Sequence, residues 1–119
     1  MNRYSNMGKR KYDTDIPIKV KEAVFERDKR RCIYCHKNNG IPNAHYIRRS
    51  QGGLGIEQNI VTLCPDCHKQ YDNGNKREEL EEYIGEYLKF KYGQNWSKEK
   101  LIYNKKKRGE CNYEGNNLF

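Results

Sequence analysis

No apolar run in this sequence approaches the roughly 18 residues that a membrane span requires, so a membrane-embedded role finds no support. Apolar residues are scarce throughout: 34% of the 119, against 34% charged. That share is low for a globular domain, and so thin a core needs a staple, either disulfides or a bound metal. The opening stretch, Met1 to Arg10, has no apolar segment of the kind a secretory signal carries. Export is therefore not indicated, the expected location is the cytoplasm, and the cysteines are expected to be reduced. Methionine is limited to Met1 and Met7, and no repeat is visible beyond two short cysteine pairs.

What is present is positive charge, unevenly placed. The formal net charge is +8. Residues 1–50 hold 13 Lys/Arg against 5 Asp/Glu, whereas residues 51–119 hold 11 of each. A basic half on a small chain suits a polyanion, because neutralising phosphates releases counterions. The plainer alternative is that the charge only maintains solubility.

Residues 1–14 read as a flexible basic arm. A helix is expected next, with Asp15 as its cap, Pro17 in the first turn, and Val20, Ala23 and Val24 on one face. Residues 32–75 hold four of the five cysteines, all three histidines and many turn formers, with room for short strands near 44–47 and 59–63. A second helix is expected over about 76–92, where Leu80, Tyr83, Ile84, Tyr87, Leu88 and Lys91 step by three and four and Gly93 stands as the stop. Residues 93–119 read as a short helix after Ser97, carrying Leu101 and Ile102, and then a basic, partly disordered tail.

Cys32-Ile-Tyr-Cys35 and Cys64-Pro-Asp-Cys67 are C-x2-C pairs with 28 residues between them. Such pairs let both sulfurs turn onto one ion, and two pairs supply the four thiolates of a closed, structural zinc site. Each pair is followed by histidine, His36 and His68, which also spells c-type haem attachment, and a thioredoxin-like dithiol at Cys64–Cys67 is a third possibility. The first would need export and the second a βαβ setting; neither is in evidence, so zinc is the expectation. Cys111 reads as a spare thiol.

Between and beyond the pairs lie His45, Asn59 and His68, spaced H-x13-N-x8-H. With Arg27-Asp28 ahead of the first pair, Gly52-Gly53 after His45, and Leu63-Cys64-x2-Cys67-His68, the segment 17–74 resembles the HNH endonuclease family. The resemblance implies an α+β fold, a small zinc-stapled ββα-metal core with flanking helices, occupying residues 15–92 as a nuclease domain. A strand would carry His45, a second would begin near Asn59, and a helix from Pro65 would carry His68.

It also implies phosphodiester hydrolysis in DNA. His45 would be the general base and His68 a ligand of a catalytic Mg²⁺ or Mn²⁺. Asn59 would either ligate that ion or hold His45 through backbone bonds. Asp72, one helical turn after His68, is the candidate for a further ligand; its bland role is to end the helix before Asn73-Gly74. Ala44 departs from the family pattern, which commonly has a metal-binding residue there. Arg48 and Arg49, in a short strand or loop where alternation would point them to opposite sides, and Lys29, Arg30 and Arg31 are candidate DNA contacts, or a solvated surface. The alternatives for the motif residues are a core histidine at 45, a zinc-ligating His68, and a turn residue at 59. The implied partner is DNA, with a role beside a phage packaging terminase allowed, and the chain as monomer or homodimer. The competing function is a zinc-containing DNA-binding module without strong catalysis.

Overall fold

A computed structural model describes residues 13–103; the basic arm up to residue 12, the tail from 104 and Cys111 lie outside the described residues. Helix α1 spans Ile18–Arg27, strand β1 Ile41–His45, strand β2 Ile60–Leu63, helix α2 Pro65–Asn73 and helix α3 Arg77–Tyr92, with 3-10 turns at Arg49–Gln51, Glu57–Asn59, Gly93–Asn95 and Lys98–Leu101. The expected α+β class holds: one two-stranded antiparallel sheet with helices around it.

Helix α1 starts two residues later than Asp15 capping would place it. Pro17 is the N-cap, extended at φ −62° and ψ 154°, with no side-chain cap; the Asp15 carboxylate instead receives the Arg49 guanidinium. Of the expected apolar face only Val24 is fully buried. The helix closes with Asp28 N–H on the Val24 carbonyl at 2.9 Å. Lys29 and Arg30 then take left-handed φ values of 62° and 60°, a conformation that asparagine and glycine adopt more cheaply.

The strands pair Ala44 with Val61 and His45 with Ile60. The register slips between Ile41 and Ala44, where Pro42 has no N–H to give a ladder. Strand β1 therefore sits a few residues earlier than 44–47, because the chain leaves the sheet directly after His45. All four residues of β2 are buried, so Ile60-Val-Thr-Leu is covered on both faces.

One face of the sheet meets α3, whose Leu80, Ile84 and Leu88 are fully buried at four-residue steps beside Val61, Leu63, Ala44 and Tyr46. Lys91 and Tyr83, expected on that face, are exposed: the sheet is too narrow to cover the whole stripe. Gly93 ends α3 at φ 79°. The chain beyond it returns to the core. Leu101 is buried, the Trp96 indole donates to the Gln58 carbonyl at 2.8 Å, and Ile102 bridges to Gly53. The helix expected after Ser97 is the 3-10 turn Lys98–Leu101.

The hub of the fold is Arg27 with Asp28. The Asp28 side chain is fully buried. It takes two bonds from Arg27 at 2.7 and 3.0 Å, one from the Thr62 N–H at 2.9 Å and one from the Tyr87 hydroxyl. Arg27 in turn donates to the carbonyls of Glu57 and Ile60 at 2.8 and 2.7 Å, to the Tyr92 hydroxyl at 3.0 Å, and lies over the rings of Tyr87 and Tyr92. One ion pair thus joins α1, β2 and α3.

Candidate active site and metal centre

The four sulfurs of Cys32, Cys35, Cys64 and Cys67 lie within 4.8 Å of one another. A regular tetrahedron with Zn–S bonds of about 2.3 Å would separate sulfurs by roughly 3.8 Å, and Cys35 Sγ and Cys64 Sγ stand 3.5 Å apart. The donor set fits zinc. Both pairs converge on one point, which suits neither two separate haem attachments nor an isolated dithiol. Among the described residues this is the only group of three or more His, Cys, Asp or Glu donors drawn so close.

Two different local structures build the two halves. In the first, His36 adopts φ 69° and its N–H closes on the Cys32 carbonyl at 3.0 Å, a tight knuckle. In the second, Cys64 is the N-cap of α2 and its sulfur accepts from Cys67 N–H at 3.4 Å, so a thiolate faces a helix N-terminus. Backbone N–H bonds, outweighing burial, hold the Cys32 thiol down to about 7. Burial, together with the neighbouring sulfurs, pushes Cys67 up, and burial pushes Cys35 up. Four thiolates at this separation require a divalent cation among them.

The candidate catalytic residues come together at the exit of β1. His45 is half-buried, and its Nε2 lies 2.8 Å from the Thr14 carbonyl oxygen. Asp13 supplies a second tie for the same segment, its carbonyl accepting from Gly55 N–H at 3.0 Å. Gly55 has to be glycine here, since a Cβ would fall 1.9 Å from the Asp15 carbonyl oxygen. Burial lowers the His45 pKa from the ordinary imidazole value, the Thr14 carbonyl opposes this, and Arg49 and His68 add to the lowering.

His68 projects from α2, with Nε2 3.6 Å from Asp72 Oδ2 and side-chain exposures of 29% and 50%. Helix α2 is seated against β1 by the Tyr71 hydroxyl, which donates to the Tyr46 carbonyl at 2.6 Å, and by Arg48, which donates to the Asp72 carbonyl at 3.1 Å. That docking is what sets His68 on the His45 side.

Asn59 is fully buried and belongs to the 3-10 turn ahead of β2. Its Oδ1 accepts from Ile47 N–H at 2.8 Å, and its Nδ2 donates to the carbonyls of Ile47 and Leu54 at 3.2 and 2.8 Å. Of its two expected roles, this geometry supplies the backbone clamp. Replacing Asn59 with alanine strands three buried backbone groups, at about 1–3 kcal/mol each in principle. Urea unfolding of Asn59→Ala is expected to show a loss of about 3 kcal/mol or more; a loss under 1 kcal/mol would show that the clamp is dispensable.

Ala44 is buried with its methyl group in the core and offers no donor. Arg48 and Arg49 do not alternate along a strand: Arg48 precedes, and Arg49 begins, a 3-10 turn. Arg49 pairs with Asp15 near His45. Lys29, Arg30 and Arg31 lie in and after the turn at the end of α1, away from these residues, and Arg30 bonds Glu26 twice, at 2.9 and 2.7 Å. Sequence reasoning missed the Thr14 carbonyl, which as a backbone group leaves no signature, and Tyr71. It also took Arg27-Asp28 as a motif element without seeing its structural role, although two adjacent opposite charges closing an amphipathic helix were a usable hint.

A family model described as HNH endonuclease matches residues 32–74. Anaredoxin of Nostoc sp. (strain PCC 7120) is 32% identical over 66 residues, which cover 55% of this chain and 87% of that protein. The Type IV methyl-directed restriction enzyme EcoKMcrA of Escherichia coli (strain K12) is 32% identical over 74 residues, covering 55% of this chain but 27% of the enzyme. No described helix is long and apolar enough to cross a membrane.

Proposed function

Since the chain belongs to the HNH endonuclease family, we propose that it is a metal-dependent DNA endonuclease that hydrolyses phosphodiester bonds with His45 as general base. The observation that carries this is the 2.8 Å contact between His45 Nε2 and the Thr14 carbonyl. A carbonyl only accepts, so Nε2 carries the proton and Nδ1 keeps its lone pair. The depressed pKa keeps the ring neutral at neutral pH. Nδ1 then takes a proton from the attacking water. Products would be a 5′-phosphate and a 3′-hydroxyl.

His68 and Asp72, on one open face of α2, would hold Mg²⁺ or Mn²⁺ with water completing the shell. When bound, the ion supplies positive charge against the pentacoordinate phosphorus and the leaving oxygen. Asn59 is a positioning residue: it ties Ile47, two residues after His45, to the loop at Leu54. Arg49 would exchange Asp15 for a phosphate of the substrate, and Arg48 would steady α2. One site per chain nicks one strand, so cutting both takes a homodimer or two encounters. The setting we propose is the cytoplasm, with partnership to a phage packaging terminase as one compatible role.

The test is conversion of supercoiled plasmid to nicked or linear form with Mg²⁺ or Mn²⁺, followed against pH. The reactive ring is neutral, and its pKa lies below the ordinary 6.5. Activity is therefore full above that value and falls as pH drops through the depressed pKa. An acidic limb centred above 6.5 would contradict the role given to His45.

A second reading rests on Ala44. With a methyl group where the family commonly carries a ligand, and with Asn59 fully buried and held by backbone, only two side chains remain for the ion. On that reading the protein is a zinc-containing DNA-binding module with weak or no cleavage, and it would bind plasmid without cutting it.

A further inference from the structure

A cleft of about 370 Å³ runs between the turn after α1 and the outer side of α3, lined among others by Lys29, Arg31, His36, Tyr83, Tyr87 and Lys91. It shares no lining residue with the His45 site. Among the described residues, Lys29, Arg31 and Lys91 form no ion pair with a carboxylate. The acidic groups nearby are engaged elsewhere: Asp28 with Arg27, Thr62 and Tyr87, Glu79 with the Tyr34 hydroxyl, and Glu26 with Arg30. Arg30, the one cation of the 29–31 run that is neutralised, is not among the lining residues.

The other wall is aromatic. Tyr83, 39% exposed, and Tyr87 line it; Phe90, 83% exposed one turn beyond Tyr87 on α3, stands outside the lining. Tyr83 is braced by an edge contact with the Tyr34 ring at 5.1 Å and by its hydroxyl on the Ile33 carbonyl at 2.9 Å. The Lys91 ammonium stands 5.5 Å from the Tyr87 ring centre. Lys29 and Arg31 along one side, and Tyr83 and Tyr87 with Lys91 along the other, are the elements that grip single-stranded nucleic acid, with phosphates on the cations and bases on the rings. A duplex keeps its base faces stacked inside and offers such rings nothing. The cleft's volume is that of a small-ligand site, which suits an unpaired strand.

We infer that this cleft is a second DNA contact, one that holds an unpaired strand away from the scissile phosphate. The inference extends the nuclease proposal but is read by binding and not by cleavage. The experiment measures fluorescence anisotropy of labelled oligo(dT) and of a labelled duplex with the full chain. It compares the unaltered chain, Tyr83→Ala, Lys29→Ala/Arg31→Ala and Arg48→Ala/Arg49→Ala over a salt series. The two cations are exposed; Tyr83→Ala also removes the bond to the Ile33 carbonyl, so the helical circular-dichroism signal is checked on the same samples. Tyr83→Ala is expected to weaken oligo(dT) binding by roughly tenfold or more. The double lysine–arginine change is expected to weaken it and to flatten the salt slope by about 0.7 per lost phosphate contact. Duplex binding should hardly respond to Tyr83→Ala. Oligo(dT) binding that is absent, or that responds only to the Arg48/Arg49 pair, overturns the inference and leaves the nuclease reading standing. Equal losses for oligo(dT) and duplex on Tyr83→Ala overturn the choice of an unpaired strand. If the protein fails to cut plasmid yet shows the predicted pattern, the nuclease reading falls and the cleft stands.

Discussion

Stripping the metal from the four-cysteine cluster is expected to unfold the protein. Zinc bound by four thiolates contributes on the order of 10–16 kcal/mol in small zinc domains, as much as or more than the ~5–15 kcal/mol by which whole domains are stable. Here the cluster joins the knuckle at Cys32–Cys35 to the start of α2, and Cys32 and Cys64 belong to the same buried cluster as Leu63 and Leu80. Few other ties reach the 33–40 loop: the Ile33 N–H on the Thr62 carbonyl at 3.0 Å, the Tyr83 hydroxyl on the Ile33 carbonyl, and Tyr34 against Tyr83 and Glu79. Titration with a strong chelator should release one zinc per chain and abolish the helical circular-dichroism signal in the same step. Acid should do the same, since protons compete for the thiolates and the Cys35 and Cys67 thiols are already pushed up by burial. A chelated protein that keeps its helical signal and a sharp thermal transition would show that the core stands without its staple.

The second large effect belongs to Asp28. Asp28→Ala leaves the Arg27 guanidinium, 12% exposed, without its partner, and strands the Thr62 N–H and the Tyr87 hydroxyl. Removing one member of a buried pair costs about 3–5 kcal/mol. Asp28→Asn keeps acceptors for Thr62 and one Arg27 bond, so it should cost less. The order wild type, Asp28→Asn, Asp28→Ala in urea midpoint is the expected result. If Asp28→Ala were as stable as wild type, Arg27 and Asp28 would not be a structural hub, and a role at the protein surface would have to be considered for them. The replacement should not remove zinc directly, and zinc content measured on the same samples separates the two effects.

The sequence made some features legible because they rest on local chemistry. Helix α3 was visible in the spacing of Leu80, Ile84 and Leu88, and its end in Gly93. The metal cluster was visible in two C-x2-C pairs, and α2 in Pro65, which suits a first helical turn. Other features depend on which distant backbone a residue meets. Cys32–His36 and Cys64–His68 are the same five-residue pattern, yet one is a left-handed knuckle and the other a helix start, because only the second is followed by residues that bury a helical face, Tyr71 above all. The bonds of Asn59 to the Ile47 and Leu54 carbonyls could not be foreseen, because they depend on where the loop after His45 runs. Arg48 and Arg49 could be read as strand or loop because nothing local announces that the chain turns away after His45. The short helix after Ser97 was legible in Leu101 and Ile102, but not that it folds back onto the core: the burial of Leu101 comes from the loop at Gly52–Leu54, whose Leu54 N–H bonds the Leu101 carbonyl at 2.8 Å.

The central claim is that His45, with its Nε2 proton parked on the Thr14 carbonyl, activates water. The measurement that reaches it most directly is plasmid cleavage by His45→Ala beside wild type, in Mg²⁺ and in Mn²⁺, with zinc content and DNA affinity measured on the same preparations. His45 is only half-buried and lies outside the zinc cluster, so the replacement should leave folding, zinc and DNA binding close to wild type. Loss of a general base lowers the rate by about 10²–10⁴-fold, and that loss, with binding retained, is what the account predicts. A His45→Ala protein that cuts as fast as wild type would contradict it.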